Sequence, residues 1–390
     1  MIIDNPKKIK TAEIIVGIPS YNEAKTIGFV VEQASLGLEK YFPEKKSVII
    51  NVDNNSTDKT KEAFFSAKGN IPRIYISTLK DIKGKGRNFY NLFLMVQKLN
   101  TKTGLVVDAD LKSIQPEWIK KMANPIFDGY DFITPYYARC RADATITNQI
   151  VYPLIYGLLG WDVRQPIGGD FAFSREMVDI WLKQDWSETT YQFGIDIFMT
   201  LTAFFDKAKT GQVNLDTKVH RLSSPNLGSM FFQVAGTLFE ILKKNLSQIK
   251  EINQIEKVVI LGDKELPFFA NNKPDEQLFR EIFLANFDSC LKSNEKILSQ
   301  SVMEKLNEVC QQEQGDIDLN LWTKIVYECL TRYVKGDDKQ SIIELLGFLY
   351  FGRVATFFRQ TVDLTPKEVE QEVIKQAQYF FEHRDYFLRN

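Results

Sequence analysis

Gly104-Leu105-Val106-Val107-Asp108-Ala109-Asp110 is the stretch from which the rest of the chain is read. Three apolar residues run into two aspartates that are separated by one small residue. A short apolar run ending in turn-forming acids reads as a buried, parallel strand closed by an acidic turn. In open α/β sheets, ligands gather at such carboxyl ends. Two carboxylates there can hold a divalent cation, which in turn can hold a diphosphate. A second Asp-x-Asp, Asp316-Ile317-Asp318, lies in a polar loop after Gly315, and no chemistry is read into it.

Working outward, the same strand–turn–helix order recurs. Ala12–Ile18 reads as the first strand, closed by Pro19-Ser20-Tyr21-Asn22-Glu23. Ala24–Tyr41 then shows helical spacing at Ile27, Val30, Val31, Ala34 and Leu38. Ser47–Val52 is a second strand, stopping at Asp53-Asn54-Asn55-Ser56-Thr57-Asp58, where Thr57 or Asp58 can cap the following helix. Pro72–Ser77 is a third strand. Lys83-Gly84-Lys85-Gly86-Arg87 leads into an amphipathic helix carrying Phe89, Leu92, Phe93, Val96 and Leu99. Pro116 opens another helix at a position proline tolerates, and Asp131–Tyr136 is a further strand. This rhythm predicts a mainly parallel, doubly wound sheet. No GxGxxG or GxxxxGK[ST] stands at these strand ends, so the dinucleotide and P-loop classes gain no support.

Beyond residue 136 the rhythm loosens. Asn148–Leu159 reads as a helix, and Gln165-Pro166-Ile167-Gly168-Gly169-Asp170 as a turn whose paired glycines allow close approach of a ligand. Gln192–Phe205 is a helix in which Asp196 stands among Phe193, Ile195, Ile197 and Phe198. An acid so placed is either on a solvated helix face or a functional carboxylate; residue by residue the solvated face is favoured, while Asp196 stays a catalytic candidate with Asp110 and Lys85. Gly211–His220 alternates, with Val213, Leu215, Thr217 and Val219 on one face and Asn214, Asp216, Lys218 and His220 on the other. From about Pro225 the chain becomes lysine- and glutamate-rich and mainly helical. The expected organisation is therefore an α/β domain over 1–225 and a helical extension over 226–390, on the acceptor side or at an oligomer contact. The aromatic piece Ile342–Phe358 reads as helical core or subunit contact rather than a cofactor site.

Bulk properties narrow the class. The 390 residues exceed one ordinary core, and 44% hydrophobic with 25% charged content is that of a globular protein. A net charge of −1, with no basic stripe, argues against nucleic acid. Cys140, Cys290, Cys310 and Cys329 lie far apart without CxxC spacing, as expected for reduced thiols in the cytoplasm. Residues 1–12 are polar and lysine-rich, unlike a signal peptide. The uncharged runs Ala144–Trp161 and Leu222–Phe239 each contain polar residues and a proline, so no membrane span is expected and both are read as packed helices.

The groups at successive strand ends suit one task. Glu23 and Asp53 are acceptors for a nucleobase and its ribose. Lys85 is a cation for phosphate, although its basic, glycine-rich stretch reads equally well as a solvated turn. Asp110 is a ligand for Mg²⁺ or Mn²⁺, with Asp108 beside it for sugar or nucleotide hydroxyls. His220, taken singly, is an ordinary strand-end residue; as a nitrogen ligand it suits Mn²⁺ better than Mg²⁺.

Ile18-Pro19-Ser20-Tyr21-Asn22-Glu23, Val52 through Asp58 and Asp108-Ala109-Asp110 resemble the donor-binding signatures of GT-A glycosyltransferases. Gly84-Lys85-Gly86, Gln165 through Asp170, Phe193-Gly194-Ile195-Asp196, Gln212-Val213-Asn214-Leu215 and His220-Arg221 are similar to motifs of glucosyl-3-phosphoglycerate and glucosylglycerate synthases. The resemblance runs in order from about residue 13 to 221. It implies a retaining, metal-dependent transfer of a hexose, glucose in the first instance, from a GDP-, UDP- or ADP-sugar to a small hydroxy acid, in compatible-solute synthesis. A homodimer is expected through the helical extension. Pro19, Tyr21 and Glu23 would hold the base, with Asn54 near the ribose. Lys85, Asp108 and Ala109 would lie at the donor, Gly168 and Gly169 at the sugar, and Asp110 and His220 at the metal. Asp196 stands where the family has a glutamate facing the transferred sugar.

Two departures concern the acceptor. Where the family has Gly-Arg-x-Thr, this chain has Ala144-Thr145-Ile146-Thr147, so Thr145, Ile146 and Thr147 are the acceptor candidates. The family's asparagine after His-Arg is Leu222 here, and Arg139 or Arg141 are the nearby cations that could substitute. Losing an arginine fork favours glycerate at least as much as 3-phosphoglycerate. The rival readings are a lipid or polysaccharide acceptor, and a sugar-nucleotide-binding protein without turnover.

Overall fold

A computed structural model describes residues 1–139, 141–220, 227–267, 275–285, 287, 291, 296–312 and 315–389. Cys140, Arg221, Leu222 and Cys290, all used in the sequence reading, lie outside the described residues. Cys310 and Cys329, among the described residues, form no disulfide.

The chain clusters into two compact units that are not a single cut along the sequence. The first comprises Met1–Ala138, Gln165–Leu222 and Val258–Pro267; the second comprises Arg139–Arg164, Ser223–Lys257 and Phe268–Asn390.

The first unit is built on one nine-stranded sheet. Its strands are β1 (Ile2–Asp4), β2 (Ile14–Ser20), β3 (Ser47–Asp53), β4 (Arg73–Ser77), β5 (Thr103–Val106), β6 (Phe132–Ala138), β8 (Phe171–Ser174), β9 (Thr210–Thr217) and β11 (Ile260–Leu261). Two short strands of the second unit, β7 (Trp161–Asp162) and β10 (Glu256–Lys257), pair in parallel with each other. The order in the main sheet is β1-β4-β3-β2-β5-β8-β6-β9-β11. β3 and β5 flank β2 in parallel, β4 continues the parallel run, and β6, β9 and β11 form a second one. β8 lies antiparallel between β5 and β6, and β1 covers the β4 edge antiparallel. This is the expected α/β class with a mainly parallel sheet, joined to a helical part.

The helices form where the spacing places them. In α1 (Ile27–Tyr41) the stripe Ile27, Val30, Val31, Ala34 and Leu38 is fully buried. α2 (Thr60–Ser66) follows β3, with Asp58 Oδ1 accepting from the Thr60 N–H at 3.0 Å. α3 (Lys85–Lys98) buries Phe89, Leu92, Phe93 and Val96. α4 (Pro116–Phe127) starts at its proline. Each α/β connection leaves its loop at the carboxyl end of a strand, which is where the candidate site lies.

Three elements escape local reading. The lysine-rich N-terminus supplies β1, whose three residues are too few to show a period. β8 is four residues long and buried on both faces, so its Phe-Ala-Phe run carries no alternation. β11 reaches the sheet edge from a segment far along the chain, where the polar side chains of β9 meet it. Gln212 Nε2 donates to the Val258 carbonyl at 3.2 Å, and Asn214 Nδ2 to those of Asp263 and Glu265 at 3.1 and 2.8 Å. The alternating polar face of β9 is therefore a clamp on returning backbone rather than a solvent face.

In the second unit a π-helical turn, Thr147–Val151, runs into α5 (Tyr152–Leu159). The helix Lys339–Gln360 passes through this unit with Leu345, Leu346, Leu349 and Tyr350 fully buried. Among the described residues it is the one helix long and apolar enough to cross a bilayer, and 72% of its most apolar window is buried inside the protein. Arg353 on this helix donates to Gln149 Oε1, the Ile317 carbonyl and Gln376 Oε1, so its buried charge is held by neutral acceptors. The second Asp-x-Asp is structural, as its setting implied. Asp318 caps the helix Leu319–Lys335 by accepting from the Leu321 N–H at 2.7 Å, and Asp316 pairs with Arg359.

Candidate functional site

The loops after β2 and β3 are knitted by one buried carboxylate. Asp53 is fully buried; its Oδ1 accepts from the Ser56 N–H at 2.6 Å and its Oδ2 from the hydroxyls of Ser20 and Ser56 at 2.8 and 2.6 Å. Both oxygens are thus engaged inside the protein, a setting that accounts for Asp53 without a nucleoside. Asp53 shapes the loop. Asn22, at φ +56°, completes the knot by taking the Thr57 N–H on Oδ1 at 2.8 Å. Pro19 is buried at the end of β2. Glu23 accepts from the Thr26 hydroxyl at 2.9 Å. Tyr21 is exposed, and Lys83 lies over its ring at 4.3 Å while donating to its hydroxyl at 2.7 Å. Tyr21, Glu23 and Pro19 thus lie at the end of β2 and the turn after it.

The Gly-Lys-Gly stretch is a docking surface. A Cβ on Gly84 would meet the Tyr191 carbonyl oxygen at 2.2 Å, and one on Gly86 the Thr190 carbonyl oxygen at 2.0 Å. The backbone N–H groups of Gly86 and Arg87 donate to the carbonyls of Gln192 and Tyr191, each at 3.0 Å, and Asn54 Oδ1 receives the Gly84 N–H at 3.2 Å. The glycines thus seat α3 against the segment leading into α6 (Ile195–Phe205), and the N–H groups named here hold protein rather than phosphate. That seating brings Lys85 to Asp196.

Lys85 Nζ donates to Asp196 Oδ2 at 3.0 Å and lies 3.5 Å from Asp108 Oδ1. Asp196 is buried, which corrects its reading as part of a solvated helix face. Its second oxygen, Oδ1, is buried without a hydrogen-bond partner among the described residues. Burial pushes its carboxyl above the usual range, opposed by the Lys85 ammonium and reinforced by the charge of Asp108. Asp108 goes the other way: burial disfavours its charge, but the ammoniums of Lys218 and Lys85 outweigh burial and hold it far below the usual range. Burial likewise works against the Lys85 charge, and Asp108 and Asp196 overcome it.

Two members of this cluster were outside the sequence assignment. Lys218, placed by the alternation of Gly211–His220 on its polar face and standing just past the end of β9, is 2% exposed at its side chain. Its Nζ donates to Asp108 Oδ2 at 2.8 Å, to Asp170 Oδ2 at 2.8 Å and to the Gly168 carbonyl at 2.7 Å. Asp170 is fully buried, takes the Asp108 N–H on Oδ1 at 2.9 Å and accepts from the Tyr137 hydroxyl. Gly169, at φ +89°, closes against this pair: a Cβ there would lie 2.5 Å from Asp108 Oδ2. Gly168 packs on Pro135, which a Cβ would meet at 2.2 Å. The one sequence signal for Asp170 was its place after the paired glycines.

Ala109 is buried, leaving Asp108 and Asp110 partly exposed on either side of it. The Asp110 turn is strapped to the His220 segment by the Lys112 N–H to Val219 carbonyl bond at 2.8 Å and the Val219 N–H to Ser113 Oγ bond at 2.9 Å. His220 is near enough for its charge to favour the ionised form of Asp108. Among the described residues no group of three or more His, Cys, Asp or Glu is arranged to hold a metal ion by itself. A carboxylate and an imidazole on strapped segments fit a cation that takes its remaining ligands from a diphosphate and water.

Thr145, Ile146 and Thr147 belong to the second unit and are buried there, with Thr145 Oγ1 accepting from the Tyr350 hydroxyl at 2.6 Å. Arg139 is paired with Asp143 through Nε and Nη2, both at 2.8 Å, and Arg141 donates to the Thr361 carbonyl.

With this geometry in hand, comparison with known proteins is decisive for the family. The family model described as mannosylglycerate synthase, GT domain, matches residues 30–231, more than half of the chain. The chain belongs to this family. Mannosylglycerate synthase of Rhodothermus marinus is 27% identical over 153 residues, which is 38% of this chain and 38% of that protein. The chain therefore matches well under half the length of that relative. Among solved structures, glucosyl-3-phosphoglycerate synthase from Mycobacterium tuberculosis in complex with Mn²⁺, UDP-glucose and phosphoglyceric acid is 24% identical. It covers 59% of this chain and 79% of that one, with a TM-score of 0.48. The same enzyme with Mg²⁺ and UDP gives the same four values. The motif resemblance to glycerate-type GT-A transferases is thus borne out at the level of the family, with the mannosylglycerate synthase GT domain as the group matched.

Proposed function

We propose that this chain is a metal-dependent hexosyltransferase that moves glucose or mannose from a nucleoside diphosphate sugar to glycerate, 3-phosphoglycerate or a similar small hydroxy acid, with retention at the anomeric carbon. The observation that carries the reading is Asp196. Its Oδ2 is held by Lys85, while its buried Oδ1 has no hydrogen-bond partner among the described residues. A buried acceptor left open at the carboxyl ends of the strands calls for a ligand hydroxyl or another donor. The family name adds a sugar transferred to glycerate as the matching chemistry.

In this reading Tyr21, Pro19 and Glu23 border the base and Asn54 orders the loop beneath the ribose. Asp108 presents Oδ1 to the sugar, Gly168 and Gly169 border it, and Lys85 places positive charge beside it. Asp110 and His220 would hold Mg²⁺ or Mn²⁺, which would stabilise the negative charge on the departing diphosphate. The acceptor hydroxyl attacks the anomeric carbon from the face that the diphosphate leaves, and its proton passes to the leaving diphosphate oxygen. No side chain is assigned as a covalent nucleophile. Thr145 and Thr147 are the acceptor-side candidates, and the homodimer and cytoplasmic location belong to the same proposal.

The test is a screen of UDP-, GDP- and ADP-linked glucose and mannose against glycerate, 3-phosphoglycerate and lactate, with Mg²⁺ or Mn²⁺. The anomeric proton of the product is read by NMR. An axially linked glycoside of a hydroxy acid is the expected product. Donor binding without product from any pair would replace this reading with that of a sugar-nucleotide-binding protein.

A further inference from the structure

Lys218 has a setting that neither metal nor phosphate binding explains. Its ammonium has three N–H donors, and three oxygens surround it at 2.7–2.8 Å: Asp108 Oδ2, Asp170 Oδ2 and the Gly168 carbonyl. The side chain is 2% exposed, so its charge is withdrawn from solvent and matched inside the protein. The three oxygens come from two strand ends: Asp108 just beyond β5, and Gly168 and Asp170 in the turn before β8, whose Asp170 also receives the Asp108 N–H. The Gly169 Cα packs so close that a Cβ would lie 3.1 Å from the Lys218 Nζ and 2.5 Å from Asp108 Oδ2. One oxygen of Asp108 is thereby occupied from within. Its other oxygen, Oδ1, lies toward Lys85 at 3.5 Å, beyond a good hydrogen bond.

We propose that Lys218 is a positioning residue: its ammonium locks Asp108 and the Gly168–Gly169 turn into one rigid unit, so that Asp108 Oδ1 and the turn are held in register against the transferred sugar. The inference rests on the transferase reading above and deepens it. Lys218 has no open donor with which to touch substrate, so it acts through Asp108 and the turn. Rigid placement of groups around a reacting carbon is where small displacements cost most, because misalignment by about 1 Å lowers rate on the order of a hundredfold. A residue of this kind affects the sugar-specific part of donor binding and the rate of transfer. It leaves alone the binding of the nucleotide moiety, which other loops hold.

The experiment compares wild type with Lys218→Met, of similar length but without charge, and Lys218→Arg, which keeps the charge but cannot place three donors on the same oxygens. Thermal unfolding first establishes that each variant is folded. Calorimetry then measures Kd for the nucleoside diphosphate and for the nucleoside diphosphate hexose identified in the donor screen, and steady-state assays separate kcat from KM. The expected result is a nucleoside diphosphate Kd within about twofold of wild type and a kcat lower on the order of a hundredfold. The extra affinity contributed by the hexose is lost. If Lys218→Met does not fold, the same split is read in Lys218→Arg. Asp170→Asn is expected to give the same pattern, and the double variant to fall little further, because both residues serve one assembly. Folded Lys218→Met with kcat near wild type, or a loss of nucleoside diphosphate affinity as large as that of the sugar nucleotide, overturns the proposal. Failure of the transferase reading is distinguishable: wild type itself would then turn over no donor, while the two Kd values still measure whether Lys218 orders the sugar side.

Discussion

Lys85 Nζ and Asp196 Oδ2 meet at 3.0 Å across 111 positions of sequence, and this pair ties the head of α3 to the head of α6. It makes Asp196 a half-satisfied acid. One oxygen is fixed by the lysine and the other waits, buried, for a donor. The functional proposal turns on that asymmetry, and so does the first prediction.

Asp196→Asn keeps the shape but replaces one oxygen with an N–H₂ group. It should cut kcat/KM strongly while nucleoside diphosphate affinity stays near wild type. Lys85→Met should cost about 1.5–3 kcal/mol of transition-state stabilisation, the usual range for a hydrogen bond to a charged group. The double variant should be far from additive, since removing Lys85 takes the ammonium from a buried carboxylate, whereas Lys85 keeps Asp108 at 3.5 Å when Asp196 is neutralised. Additive losses in kcat/KM would mean that the two residues act apart.

A second expectation concerns the cation. Chelator should abolish transfer by the wild-type protein, and Mn²⁺ or Mg²⁺ should restore it. Asp110→Ala and His220→Ala should each remove most turnover and make donor affinity independent of added metal. Both variants running at full rate in chelator would remove the assignment.

The acceptor follows from which cations are already engaged. Arg139 is held by Asp143, and Thr145 and Thr147 are neutral. A phosphate ester brings close to two negative charges beyond the carboxylate, and holding it calls for an arginine fork or several fixed donors. Glycerate should therefore compete better than 3-phosphoglycerate for one saturating donor, read as the ratio of kcat/KM values. A clear preference for 3-phosphoglycerate would reverse this and direct attention to Arg141.

Two substitutions test the frame beneath the site. Gly169→Ala places a methyl 2.5 Å from Asp108 Oδ2 at a backbone φ of +89°. The strained backbone alone costs about 1–3 kcal/mol, so both Tm and activity should fall. Asp53→Ala leaves the Ser20 and Ser56 hydroxyls and the Ser56 N–H without their acceptor. It should lower Tm by the equivalent of about 1–3 kcal/mol for each buried donor left unpaired, whatever nucleotide is present. A stable Asp53→Ala protein with selectively weakened nucleotide binding would return Asp53 to the nucleoside.

Much of this architecture is written in local pattern. The stripe Ile27, Val30, Val31, Ala34 and Leu38 can only be one face of a helix, and it is buried as one. The apolar run before Asp108 forms a strand in the middle of the sheet, with the acids at its carboxyl end. Strand–helix alternation fixes the mainly parallel order, and the order fixes the edge at which ligand-binding loops collect. The Asp-x-Asp turn, the glycine pairs and the His220 segment were all legible as members of that edge.

What tertiary structure alone decided is what stands opposite each polar side chain. Periodicity reports which positions are apolar; it carries no information about whether a polar face meets water or another segment. Lys218 alternates like a solvent-facing lysine yet is sealed by two aspartates and a carbonyl from distant segments. Asp53 sits in a loop like a ligand-binding acid, yet two serines and a backbone N–H claim both of its oxygens. Asp196 sits on an apolar helix like a stray surface acid, yet Lys85 draws it into the site. In each case the deciding partner lies tens of residues or more away or in an unpatterned turn, and a buried charge is tolerated only where such a partner arrives.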